Sequence, residues 1–250
     1  MKRSAIVYAF AGFVLLGMGL ADRGRAEALN DAKTQAKGYI VALGLSDDLN
    51  VFHSEATRAA AILARHYARG AAAPLVFTNS RTSRAATIES LRGALARTSS
   101  RMDRENDILF VFLTSHGSQQ GVQIKAGKRR STLQPAELGA LLRVTNARNK
   151  VVIISACYSG VFTPLADSRT LVITAAAATH PSFGCEETAT WTYFGRAFFS
   201  QAMPKTNNLR DAFVLARSLV LVRELERGYQ PSNPQMRGGE DLVARLRAAP

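Results

Sequence analysis

Cysteine and acidic side chains are the scarce residues in this sequence. Two cysteines in 250 residues, Cys157 and Cys185, cannot build a disulfide scaffold, and with four scattered histidines they make no compact zinc ligand set. No metal or cofactor is expected. In an oxidising compartment two cysteines do allow one disulfide, and their contexts must decide it. Nineteen Asp and Glu stand against thirty-two Lys and Arg, a formal net charge of +13. The excess is spread out: beyond Arg3, arginines run from Arg23 to Arg247, and the longest basic run is Lys128, Arg129 and Arg130. Nucleic-acid modules gather their charge on one face among aromatics, so that class of partner is disfavoured. Attraction to an anionic membrane surface and a compositional bias toward arginine both remain open. Internal repeats, low-complexity segments and a domain boundary are also missing. With 47% hydrophobic and 20% charged residues, the chain is neither disordered nor a coiled coil and can bury one substantial core.

One long apolar stretch is present, from Ser4 to Ala21, preceded by Lys2 and Arg3 and ending in the small residues Gly19-Leu20-Ala21. That order reads as a secretory signal over residues 1–21, followed by a domain over residues 36–250. At about 18 residues the stretch is also near the minimum for a bilayer span, which makes an uncleaved anchor the alternative. Either way the domain is expected outside the cytoplasm, periplasmic or secreted. Cleavage after Ala21 removes Lys2 and Arg3 and still leaves the chain strongly basic.

Short apolar runs rich in β-branched residues mark strands buried on both faces. Tyr39 to Leu45, Ile108 to Thr114 and Val151 to Ser155 are the clear ones, and Leu75 to Thr78 and Leu171 to Thr174 are weaker versions. Helical patterns lie between them, from Ser54 to Arg69 with Ser54 as N-cap, from Ala86 to Arg97, and from Pro135 to Arg143. After Trp191 the chain reads as helical to Met203 and again from Asn208 to Arg227, then as a polar tail from Tyr229 to Pro234 and a short terminal helix. Strand and helix alternate, which implies right-handed crossovers and a mostly parallel sheet covered by helices on both faces.

In such sheets functional groups gather at the carboxyl ends of strands. Two ends stand out: Ile108 to Thr114 runs into Ser115-His116-Gly117-Ser118, and Val151 to Ser155 runs into Ala156-Cys157-Tyr158-Ser159-Gly160. A thiol and an imidazole delivered by neighbouring strands are what nucleophilic thiol catalysis requires, because an adjacent imidazole draws a thiol toward its reactive thiolate. Gly117 lacks a Cβ, so its N–H can approach a substrate carbonyl, and the N–H of Cys157 could supply the second donor of an oxyanion hole. Taken singly, a His-Gly after a strand is usually a turn and a cysteine there usually an inert core thiol. Their joint occurrence carries the chemistry. His66 sits on a helical pattern as a surface residue, His180 precedes a proline in a loop, and His53, near the end of the first strand, could line a pocket.

Leu113-Thr114-Ser115-His116-Gly117-Ser118, followed about forty positions later by Ser155-Ala156-Cys157-Tyr158-Ser159-Gly160, resembles the legumain-type cysteine peptidases of the caspase-like clan, bacterial members especially. The resemblance continues through Thr174-Ala175-Ala176, Ser182-Phe183-Gly184-Cys185, Thr192-Tyr193-Phe194-Gly195 and Ser232-Asn233-Pro234-Gln235. It implies a caspase-like three-layer α/β/α sandwich with a mostly parallel six-stranded sheet, a catalytic dyad of His116 and Cys157, and no metal. Asn50 matches an asparagine that orients the histidine in that family, although an Asn after Asp47-Asp48 is equally a turn residue. Cys185 also has a counterpart beside the nucleophile, which argues against a Cys157–Cys185 disulfide.

Three positions depart from the resemblance. Legumains select Asn, and Asp at acid pH, with an Arg, a Glu just before the Ala-Cys pair and a later Asp, where this chain has Phe52, Ser155 and Arg196. Substrate contacts are therefore expected from Phe52, His53, Ser155, Ser182 and Arg196, and Arg196 would favour an acidic side chain if it faces the pocket. The substrate implied is a peptide or protein. A peptide ligase of the same fold, or a non-catalytic envelope protein binding through its basic surface, are the competing readings.

Overall fold

The computed structural model describes residues 36–80, 82–206, 208–242 and Leu246. The expected leader or anchor over residues 1–21, and most of the expected terminal helix, lie outside the described residues. The chain runs β1 (Gly38–Gly44), α1 (Asn50–Tyr67), β2 (Leu75–Thr78), α2 (Ile88–Ser99), β3 (Ile108–Thr114), β4 (Gly117–Ser118), β5 (Gly121–Ala126), β6 (Arg129–Leu133), α3 (Pro135–Arg143), β7 (Asn149–Ser155), β8 (Thr170–Thr174), α4 (Leu209–Glu226) and β9 (Gln235–Arg237). Among the described residues, no helix is long and apolar enough to cross a membrane.

The main sheet has the order β2-β1-β3-β7-β8-β9, with every pair parallel except the last. Every residue of β1, β3 and β8 is buried, as the unbroken apolar runs require. Alternate residues face opposite layers. Ile40, Ala42, Phe110 and Phe112 pack toward α1 and α4, while Val41, Leu43, Val111 and Leu113 pack toward α2 and α3. The result is the expected α/β/α sandwich, and its sixth strand is the antiparallel edge β9, which falls just beyond the stretch read as a polar tail.

Local structure departs from expectation in three places. The first helix begins at Asn50, with Leu49 in extended conformation before it and no side-chain cap. Ser54 is therefore an interior residue whose hydroxyl accepts from Arg58 Nε at 3.1 Å, not the N-cap. The stretch expected to be one helix from Trp191 is a short turn, Tyr193–Gly195, running into a π-helix, Arg196–Ala202, and a 3-10 turn, Met203–Lys205. Between His116 and α3 the chain folds into a small antiparallel sheet, β4-β5-β6, in which Val122 and Ile124 turn into the core. Nothing in the strand-and-helix reading anticipated that sheet.

Candidate active site

Thr114 and Ser155, the last residues of β3 and β7, are register partners in adjacent parallel strands. The pairing extends one residue further, since Ser115 N–H donates to the Ser155 carbonyl at 3.2 Å. His116 and Cys157 each lie two residues beyond that matched pair. They leave the same sheet edge at the same height, from strands about 4.8 Å apart. The small sheet secures the histidine side: Gln123 N–H donates to the His116 carbonyl at 2.9 Å, and Ser115 Oγ donates to the Gln123 carbonyl at 2.6 Å. A Cβ built on Gly117 would overlap the Cys157 carbonyl oxygen, so glycine is what lets these two chain segments touch.

On the other side, Tyr158 adopts the left-handed conformation at φ 56°, turning the chain away immediately after the thiol into the 3-10 helix Ser159–Leu165. The sulfur faces Ser182, whose N–H donates to Sγ at 3.3 Å and whose carbonyl accepts from it at 3.3 Å. Ser182 Oγ lies 3.7 Å from Sγ.

The His116 ring stands edge-on to Phe52 at 4.9 Å between centroids, and its Nε2 is 4.0 Å from Asp48 Oδ2. Burial pushes the imidazole below its usual pKa, and the Arg130 guanidinium pushes it the same way. The Asp48 carboxylate does not reverse this, because Lys125 Nζ is bound directly to it. Nδ1 of His53 is paired with Thr78 Oγ1 at 2.8 Å. His53 and Asn50 share a cleft of about 420 Å³ with Asp47, Asp48, Asn79 and Glu187.

The residues expected to contact substrate do not all lie together. Phe52 is wholly buried and serves as a wall for the imidazole. Ser155 is also buried, its hydroxyl 3.0 Å from Thr192 Oγ1. Ser182 adjoins the sulfur, while Arg196 projects from the start of the π-helix into a different hollow, lined with Trp191, Arg223 and Arg227. Among the described residues no cluster of three or more His, Cys, Asp or Glu could hold a metal ion.

The peptidase C13 family model matches residues 32–240, a span that includes both strand ends, Ser182, Cys185 and the edge strand β9. The chain belongs to the peptidase C13 family, the legumain family. It is a cysteine-type peptidase. Caspase-1 from Spodoptera frugiperda superposes on this C13 peptidase with a TM-score of 0.56 at 14% identity, covering 82% of this chain and 87% of that one. At that identity the likeness establishes the fold alone. No curated protein matches the chain.

Both thiols of the C13 peptidase are free. That of Cys185 is pushed up to about 12, first by burial and then by Glu55 and Cys157. It is a poor nucleophile at neutral pH.

Glu55 is the residue that sequence reasoning missed. It is fully buried, accepts from Thr192 N–H at 3.3 Å and Thr192 Oγ1 at 2.6 Å, and accepts a short hydrogen bond from Thr114 Oγ1. Thr192 in turn meets Ser155. One carboxyl thus ties together the end of β3, the end of β7 and the segment that follows Cys185. Gly195 is glycine for the same reason, since a Cβ there would overlap Glu55 Oε1. Burial raises the Glu55 pKa despite these hydrogen bonds, which favour the charged form. The only available signal was its place on the inward face of a helix, among Phe52, Ala56 and Ala59.

Proposed function

We propose that the chain cleaves peptide bonds through a thioester, with Cys157 as nucleophile and His116 as general acid and base. The observation that carries this reading is the register match that puts both residues two positions past paired strand ends. His116 is neutral at rest because burial disfavours the imidazolium, so it takes the thiol proton as Sγ attacks the scissile carbonyl. The N–H groups of Gly117 and Cys157 stabilise the oxyanion. The C–N bond then breaks as the imidazolium protonates the leaving amine, and a water resolves the thioester.

Cleavage after Asn, or Asp at acid pH, is the default taken from the family resemblance. A changed preference is expected, because Phe52 and Ser155 stand at two of the selecting positions and both are buried. Export through residues 1–21, or anchoring by residues 4–21 against an anionic membrane surface, completes the proposal. The N-terminal sequence of the mature protein decides between those two.

The test is covalent labelling by a thiol-directed peptidyl probe. Wild type labels at Cys157, Cys157→Ala does not, and His116→Ala labels at least about a hundredfold more slowly, the usual scale of a positioned general base. Full-rate labelling of His116→Ala overturns the dyad. Mass spectrometry of a digested peptide library then reads the preference, and cleavage at neutral apolar residues alone overturns the Asn or Asp default.

A further inference from the structure

We infer that the hollow beside Trp191 is an anion subsite that takes the carboxylate of an acidic side chain on a bound peptide. This deepens the peptidase reading and rests on it. The hollow measures about 450 Å³, and a second of about 340 Å³ shares Tyr193, Arg196, Arg223 and Arg227 with it. Three arginines from two separate elements therefore line the same hollow. The C-terminal dipole of α4 accounts for Arg223 in its last turn and Arg227 at its C-cap, but not for Arg196, which comes from the π-helix to line the same hollow. Arg223 and Arg227 are four residues apart, a like-charge spacing that an anion between the two groups would relieve.

Acidic groups are close, yet they do not neutralise the cluster. Glu186 lines the first hollow and Glu226 the second, and among the described residues neither forms an ion pair with the three arginines. Arg223 lies over the Tyr193 ring at 4.5 Å, and its Nε is buried without a hydrogen-bond partner. The Tyr193 ring fixes this guanidinium at the wall of the hollow, where, with no ion pair among the described residues, its plane matches the two oxygens of a carboxylate.

Position makes this a subsite of the peptidase. Ser182 touches the Cys157 sulfur, and Gly184, two residues on, already lines the hollow. Phe183 lies between them, stacked on Tyr229 at 4.3 Å. An extended peptide covers about 3.3 Å per residue. A substrate lying along this segment would therefore bring a side chain about two to four positions from the scissile bond over the arginines.

Binding is measured by calorimetry on the full-length Cys157→Ala protein, so that no turnover is needed. The probes are an amidated peptide carrying Glu at those positions, its Gln counterpart amidated, and the Gln counterpart with a free C-terminus. The Glu peptide is expected to bind roughly tenfold or more tighter than the amidated Gln peptide, an advantage that fades as NaCl is raised past about 0.3 M. Arg196→Gln and Arg227→Gln, both at exposed positions on different elements, are each expected to remove most of that advantage. Equal binding of the amidated Glu and Gln peptides overturns the inference, as does a preference that survives both substitutions. Tighter binding by the free C-terminus alone overturns the assignment to a side chain. Binding of an oligonucleotide or an anionic lipid vesicle that equals the Glu peptide and falls in the same variants overturns the assignment to a peptide. Because the probe labelling above is read at Cys157, failure of the peptidase reading shows there and not here.

Discussion

At the scale of single residues, the site depends on two titratable groups whose surroundings oppose their charge. His116 is held below its usual pKa by burial and Arg130, and Asp48, the carboxylate that could raise it, is occupied by Lys125. The imidazole must be neutral to accept the thiol proton, so the acid limb of kcat/KM is expected below about pH 6.5. Lys125→Ala frees Asp48 to pair with the imidazolium and should move that limb to higher pH, whereas Asp48→Asn should move it lower. A pH profile that is identical in all three proteins would remove His116 from the titration. Glu55 works in the opposite sense. Its raised pKa means that the folded state holds the proton more tightly than the unfolded chain does. Its contribution to stability is complete below the usual carboxylate value near 4.5 and is lost as pH rises through the raised folded value. Glu55→Gln keeps the shape and stays neutral, so its melting temperature relative to wild type should climb from pH 4 to pH 8. Glu55→Ala leaves two threonine hydroxyls and a hole, at a cost of about 2–4 kcal/mol in urea unfolding.

At the scale of elements, legibility follows from how strongly each segment's burial is written in its composition. Ile108–Thr114 appears with the expected limits, because strands covered on both faces must be continuously apolar. Leu75–Thr78 also appears as expected, although it is an edge strand with Val76 exposed. The edge strand Gln235–Arg237 is three residues long and polar, paired only on one side, and its composition cannot separate it from a loop. The β4-β5-β6 sheet left only a faint alternation at Val122 and Ile124. The placement of His116 and Cys157 past neighbouring strand ends was legible because both follow strong strands. Glu55 was not, because a glutamate in a helix reads as solvent-facing until the fold shows what covers it. Capping shows the same limit. Ser54 has the right side chain for an N-cap but lies four residues inside α1, while Thr87 accepts from Ser90 N–H and completes a capping box at the start of α2. Thr87→Ala is therefore expected to lower stability by about 1 kcal/mol and Ser54→Ala by less than about 0.5 kcal/mol, read from urea midpoints at equal slope.

At the scale of the whole molecule, the two walls of the active site rest on supports of unequal stability. His116 and Cys157 emerge from β3 and β7, strands in the middle of a six-stranded sheet and buried between two hydrophobic layers. Opening them requires dismantling both layers, so their amides should exchange only through global unfolding. The wall facing the sulfur is a stretch from His180 to Thr192 without regular secondary structure, largely exposed from Glu186 to Thr190. Its ties to the rest of the fold include Tyr158 N–H on the His180 carbonyl, Tyr193 N–H on the Phe183 carbonyl, the Ser182 contacts to Cys157, Thr192 on Glu55 and the Phe183–Tyr229 stack. These are local contacts, not a continuous ladder between two packed layers. Hydrogen exchange should find this segment opening well below the global free energy, and peptide cleavage should be lost at a lower urea concentration than the far-UV signal. Glu55→Gln alters the acceptor of both Thr192 and Thr114. Thr192 is one of the segment's main anchors, while β3 is held by two full strand ladders, so the substitution should widen that gap between lost cleavage and lost helical signal. Cleavage and far-UV signal that disappear together in both proteins would mean instead that the segment is as firmly built as the strands beneath it.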